Sequence, residues 1–124
     1  MIEGSTAFVL IVFGYLFYRS ADQEAKFSHI HWVVLGIRSR RDLLEGVGKH
    51  EEAKGLGLLA NELSSAAGRL SLKVASSPDA SLRASKAIML VNGDDFLSKL
   101  GLLPGSAAFL PTKNALRWLA SKVS

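Results

Sequence analysis

Residues 56–74, LGLLANELSSAAGRLSLKV, carry apolar side chains at the spacing of one helical face. Repetition every three or four residues is typical of an amphipathic α-helix that buries one narrow stripe. The stripe that we expect to pack against other helices consists of Leu56, Leu59, Leu63, Ala67, Leu70 and Val74. Since a narrow stripe is buried most readily against other helices, the segment predicts an all-α fold with a small antiparallel helical bundle.

Residues 30–50 are predicted to form the helix before this one. Its apolar positions, at helical spacing, are Ile30, Val34, Ile37, Leu44 and Val47. Glycines at 46, 48, 55 and 57 then predict a break, so that the next helix starts near Leu56. The short connection favours antiparallel packing of the two helices.

Proline and polar residues predict later boundaries. Pro78 should end the second helix, and Asp79 or Ser81 can cap a third helix that runs to Val91. Thr112 can cap a last helix, which has Leu116, Leu119 and Val123 on one face.

The N-terminal stretch GSTAFVLIVFGYLFY, residues 4–18, contains no charged residue. Fifteen helical residues span about 22 Å, against about 30 Å of hydrocarbon, so the predicted transmembrane helix is short. Its membrane-spanning residues are Ala7, Phe8, Val9, Leu10, Ile11, Val12, Phe13, Leu16 and Phe17. A buried core helix and a cleavable signal peptide are the alternatives, although Glu3 in place of a basic start disfavours the signal peptide.

Basic residues follow the apolar stretch and predict its orientation. The residues predicted to lie close to the membrane are Arg19, Lys26, Arg38, Arg40 and Arg41. Positive charge on this side predicts a single-pass protein with its C-terminal domain on the cytoplasmic side. Residues 1–26 are then the anchor with a juxtamembrane turn, and residues 27–124 are the helical domain. Attraction to anionic lipid headgroups is the favoured explanation of these basic residues and of the net charge of +4, and a solvated face or a contact with a partner is the alternative. Nucleic acid is disfavoured because no aromatic residue alternates with the arginines.

Catalytic and metal-binding patterns are weak throughout the sequence. Without cysteine, the chain has no thiolate ligand or cysteine nucleophile. His29 and His31, two residues apart, fall on different faces of a helix. Asp94 and Asp95 are neighbours after a glycine, which favours capping over acid–base catalysis. We therefore predict a protein that is not an enzyme and has no cofactor or metal site.

Eight residues between 61 and 79 resemble the third-helix motif of the LemA family. They are Asn61, Leu63, Ser64, Gly68, Arg69, Leu70, Pro78 and Asp79. Upstream, RRDLLEGVGKHE at residues 40–51 is similar to that family's paired basic, Asp-Leu and Lys-His-Glu landmarks, although the long hairpin between the two motifs is largely missing. The resemblance implies a membrane-tethered antiparallel helical bundle without assigned catalysis.

The predicted function is a single-pass, membrane-anchored helical protein that acts through protein–protein contacts. Its predicted partners are the lipid bilayer and other membrane or membrane-associated proteins, with no nucleic acid. The alternative is a structural subunit of a larger membrane complex or of a membrane-containing virion. For the bundle, we expect Gly68 to face a neighbouring helix. Arg69 should lie at the bundle edge, where it reaches a helix C-terminus or a carboxylate of Glu45, Glu51 or Glu52; the alternative is that it remains free in solvent.

Overall fold

A computed structural model describes the backbone of residues 4–123 and the side chains of residues 22–123. Within these bounds the chain is all-α, as predicted, with five helices and no strand. They are α1 (Gly4–Gly46), α2 (His50–Ser71), α3 (Pro78–Val91), α4 (Asp94–Lys99) and α5 (Phe109–Val123).

Helix α1 is continuous from Gly4 to Gly46, or about 64 Å at 1.5 Å per residue. The turn expected before residue 27 is therefore wrong. Residues 19–26, RSADQEAK, contain neither glycine nor proline and consist mostly of good helix formers, so nothing interrupts the helix. The helix ends where Gly48 adopts a φ of +85°, and the amide of Lys49 donates to the carbonyl of Leu44 at 2.9 Å.

Helix α2 begins at His50, several residues before the predicted start near Leu56. The break is confined to Gly48 and its neighbours, and Gly55 and Gly57 lie inside the helix. The burial of Ala53 explains why the helix extends through both glycines. Ala53 is fully buried, and its packing offsets part of the roughly 1 kcal/mol that each helical glycine costs. Gly57 lies against α1, where an added Cβ would be 3.4 Å from Cδ of Arg41.

Neighbouring helices of the bundle run in opposite directions. Phe27 of α1 packs edge-on against Trp118 of α5, with ring centroids 5.2 Å apart, and His29 lies near Thr112. In these two contacts the residue number decreases along α5 as it increases along α1, so the two helices are antiparallel. Helix α2 contacts both α1 and α3, and Arg83 of α3 pairs with Glu62 of α2.

The core joins α1, α2, α3, α4 and α5. Its largest fully buried side chains are Ile30, Ile37, Leu63, Val91, Leu97, Leu116 and Leu119. The predicted face of α5 is confirmed, since Val123 is also buried. On α1, Ile30, Val34 and Ile37 are confirmed as core, whereas Val47 lies beyond the helix end and is 71% exposed.

The stripe of α2 is confirmed at its centre and wrong at its end. Leu63 is fully buried, and the half-buried residues that pack against the core are Leu56, Leu59, Ala67 and Leu70. Val74 lies past the last residue of α2 and is 54% exposed, so its assignment to the stripe is wrong. The sequence analysis missed three small residues that α2 buries completely: Ala53, Ala60 and Ala66.

Two predicted caps are also wrong. Ser77 precedes α3, and its hydroxyl accepts a hydrogen bond from the amide of Ala80 at 3.2 Å, while Pro78 occupies the first turn. Asp79 and Ser81 therefore lie inside the helix. Thr112 is likewise inside α5, where it is buried near His29, because the helix starts one turn earlier at Phe109.

Candidate functional site

A large groove on the described surface lies where α1 ends and α2 begins. This distal groove has a volume of about 590 Å³ and is lined by Arg40, Leu44, Glu52, Gly55, Leu56, Leu58, Leu59, Leu90, Phe96, Lys99 and Leu100. Helix lengths explain its position. The 22 residues of α2 extend about 33 Å, whereas the 14 residues of α3 extend only about 21 Å. The tip of the α1–α2 hairpin therefore projects beyond α3, which leaves apolar side chains there uncovered.

Apolar side chains from α1, α2, α3, α4 and the residue after α4 form most of the lining. Leu58 of α2 is 59% exposed, and Leu90 of α3 is 63% exposed. Phe96 and Leu100 are half-buried and pack against the core on their inner sides. An apolar concavity with a polar rim is typical of a binding surface for another molecule.

Three charged residues line the same groove. Arg40 and Lys99 are basic and Glu52 is acidic. Within residues 22–123 none of the three forms an ion pair or a side-chain hydrogen bond. Two cations against one carboxylate give the rim a net positive charge. The groove therefore combines an apolar floor with charges that remain available to a ligand.

The sequence analysis had singled out only part of this site. Arg40 was assigned to the membrane surface, and Leu56 and Leu59 to helix packing, whereas Leu58, Leu90 and Lys99 were missed. The available signal was that Leu58 lies outside the α2 stripe. An apolar residue beyond the face that a helix buries has to be covered by something else or remain exposed.

The basic residues predicted near the membrane do not form one cluster. Because α1 is continuous, Arg38 lies about 31 Å along the helix axis from Phe17, and Lys26 only about 14 Å. Lys26 pairs with Asp22 at 2.9 Å and lies over the ring of Trp118. Arg41 pairs with Asp42 at 3.0 Å, and Arg38 is half-buried. The side chain of Arg19 lies outside the described residues.

The predicted membrane-spanning side chains, from Ala7 to Phe17, also lie outside the described residues. Within residues 22–123, no helix is long and apolar enough to cross a bilayer.

Arg69 and Gly68 do not have the surroundings expected for them. The guanidinium Nε of Arg69 donates to the hydroxyl of Ser76 at 2.8 Å, so the predicted pairing with Glu45, Glu51 or Glu52 is wrong. Those carboxylates lie near the opposite end of α2, about 26 Å away along the helix. Gly68 is exposed, and an added Cβ would meet nothing within 4 Å, so its predicted contact with a neighbouring helix is also wrong.

The histidines and acidic residues of the described part of the chain do not gather into one cluster. His29 is half-buried and 3.4 Å from the hydroxyl of Thr112, whereas His31 is exposed. Nδ1 of His50 is 2.5 Å from a carboxylate oxygen of Glu45. Asp94 pairs with Lys113 across to α5. No three His, Asp or Glu side chains of the described residues converge in a way that could hold a metal ion.

Comparison with known proteins leaves the groove as the main guide to function. No protein-family model, curated protein or solved structure matches the chain. The resemblance to the LemA family therefore stays a prediction.

Proposed function

We propose that this is a single-pass membrane protein that binds other proteins through the distal groove and catalyses no reaction. The observation that carries the proposal is the groove itself, about 590 Å³ in volume, with a mainly apolar lining and three charges that lack partners in the described residues. Leu58 and Leu90 are not part of the buried core, since each is more than half exposed. Covering both leucines with another protein would remove apolar surface from water.

In this proposal residues 4–18 form the transmembrane part of α1, and the bundle lies on the cytoplasmic side. Support comes from the uncharged sequence of that stretch and from the basic residues that follow it. The continuity of α1 adds a geometric consequence. Arg40 lies about 34 Å along the axis from Phe17, so an upright helix would hold the groove well away from the bilayer.

The chemistry of the groove favours an amphipathic helix as the part of the partner that binds. Leucines from α1, α2 and α3 can receive an apolar stripe, which is the usual form of helix-in-groove recognition. Arg40 and Lys99 would attract carboxylates that flank this stripe, while Glu52 would disfavour a partner that is acidic throughout. We therefore expect an apolar helical face with acidic residues mainly along one side.

A photo-crosslinking experiment on the full chain in its native membrane tests this proposal. A photoreactive phenylalanine analogue is placed at 58, 90 or, as the control, at 82. Leu82 is exposed on α3 but does not line the groove. We expect one protein to crosslink at 58 and 90 and not at 82, through a segment that mass spectrometry identifies as an amphipathic helix. Equal labelling at all three sites, or labelling of lipid alone, would contradict the proposal.

Charge reversal then tests the rim with a synthetic peptide of the crosslinked segment. Arg40→Glu and Lys99→Glu should each weaken peptide binding about 5- to 10-fold, as expected for charged pairs at the edge of an interface. Lys86→Glu is the matched control, because Lys86 is exposed on α3 away from the groove. Equal effects of all three reversals would show that only the overall charge matters.

The alternative, a structural subunit of a larger membrane complex or virion, is favoured by a different observation. Exposed apolar side chains also occur away from the groove, at Leu72, Met89 and Leu110 on separate elements. A structural subunit would have several of these faces covered by neighbours. Removal of residues 1–21, which leaves the contacts of Asp22, Lys26 and Phe27 intact, should give a soluble monomer if the protein is a binding module. It should give aggregates if the protein is a structural subunit.

A further inference from the structure

We propose that the turn between α2 and α3, residues 72–74, rests on the anionic headgroup surface of the membrane that α1 enters. The proposal names a second contact surface, at the opposite end of the bundle from the distal groove. It depends on the proposed anchor, because without a membrane at residues 4–18 this end would face water.

The turn lies at the end of the bundle from which the N-terminal part of α1 emerges. A cleft of about 400 Å³ brings together Gln23 and Glu24 of α1, Lys73 of the turn and Lys122 near the end of α5. Because α2 runs opposite to α1, residues 72–74 are displaced from Ser71 in the direction of the N-terminus of α1. They are thus among the first parts of the bundle that a bilayer around residues 4–18 would meet.

Distances along α1 place this end of the bundle at the level of the headgroups. Gln23 lies six residues after Phe17, or about 9 Å along a continuous helix. Each headgroup layer adds about 5–8 Å to the hydrocarbon core. The α2–α3 turn would therefore lie at the outer part of that layer, whereas Arg40 would lie about 34 Å away.

The side chains of the turn have the character that an interface between water and lipid favours. Leu72 is 76% exposed and Val74 is 54% exposed, and Lys73 lies between them. Exposed apolar residues beside lysine can enter the headgroup region while the ammonium group contacts phosphates. Lys73 and Lys122 form no ion pair among the described residues, whereas Lys26 is already paired with Asp22.

The backbone holds Lys73 firmly in this position. Its φ is +57°, and among the described residues it is the single non-glycine residue with a positive φ. The amide of Val74 donates to the carbonyl of Arg69 at 2.8 Å, and the amide of Lys73 donates to that of Leu70 at 3.1 Å. These two bonds form a Schellman motif, in which glycine usually occupies the left-handed position. A lysine there costs backbone stability, and a contact of its ammonium group with lipid phosphates would offset this cost.

The experiment measures how close the turn is to lipid in the full chain. Since the chain has no cysteine, Leu72→Cys and Val47→Cys each give one site for an environment-sensitive fluorophore. Val47 is the matched control, a turn residue at the distal end that is 71% exposed. The protein is reconstituted into vesicles of neutral lipid or of neutral lipid with about 30% phosphatidylserine, each with a quencher near the headgroups.

We expect quenching in anionic vesicles to be at least threefold greater at 72 than at 47. Lys73→Glu should lower quenching at 72 in anionic vesicles and leave it unchanged in neutral ones. Lys73→Gly should do the same without unfolding the domain, because glycine suits the positive φ. Equal quenching at 72 and 47 in protein that resists alkaline extraction would overturn this inference and leave the anchor intact. Release of the protein by alkali would overturn both this inference and the proposed membrane anchor.

Discussion

Replacing the two exposed glycines of α2 by alanine should stabilise the domain. Gly55 and Gly68 lie within the helix His50–Ser71, and an added Cβ at either position meets nothing within 4 Å. The methyl group therefore causes no clash, and the main effect is on helix propensity. Alanine is favoured over glycine by about 0.8–1.0 kcal/mol in a helix interior. We expect about 0.5–1 kcal/mol from each change, with Gly68→Ala at the lower end because it lies in the last turn.

The measurement is thermal unfolding of residues 22–124, followed by circular dichroism at 222 nm. For a domain of about 100 residues, 1 kcal/mol raises the Tm by about 4–8 °C, so Gly55→Ala should raise it by about 3–6 °C. Gly48→Ala is the control of opposite sign, since a φ of +85° disfavours alanine and should lower the Tm. An unchanged or lower Tm for Gly55→Ala would contradict the reasoning. It would mean that α2 starts near Leu56, as the sequence predicts.

Three further substitutions test other parts of the fold, with urea unfolding of the same domain as the measurement. Leu63→Ala should cost about 2–5 kcal/mol because the side chain is fully buried, whereas Ser65→Ala on the exposed face should change the free energy of unfolding by less than about 0.5 kcal/mol. Ser77→Ala should cost about 1 kcal/mol because it removes the cap of Ala80, and a neutral result would contradict that role. Lys73→Gly should stabilise the domain by about 1 kcal/mol by relieving the positive φ, and a loss of stability would show that the lysine side chain supports the fold.

The all-α class and the helical faces could be predicted because periodicity is a local property of the sequence. Ile30, Val34 and Ile37 lie at helical spacing and are buried, and so are Leu116 and Leu119. Local propensity failed where tertiary contacts compensate for it. Gly55 and Gly57 predict a break, but α2 contains both residues because the adjoining turns pack against α1.

The candidate site could not be predicted because it depends on the relative lengths of different helices. Leu58 and Leu90 are far apart in sequence, and nothing local indicates that they line the same groove. The error over Arg69 has a similar origin. The short α1–α2 connection was correctly read as antiparallel, but that arrangement places Glu45 at one end of α2 and Arg69 at the other. In an antiparallel pair the end of α1 lies beside the start of α2. A partner for Arg69 must therefore lie near the C-terminal end of α2.

The two proposed contact surfaces follow from a single feature, the length of α1. If α1 were only as long as the bundle, neither end of the bundle would be closer to a membrane than the other. The 43 residues of α1 instead extend well beyond the described core, and all of the extension is on one side, at the end that carries the α2–α3 turn. If residues 4–18 lie in a bilayer, that end meets lipid and the hairpin tip points away from it. A rigid helix would then hold the distal groove at a nearly constant height, so the partner's binding helix should itself lie about 30–40 Å from the membrane.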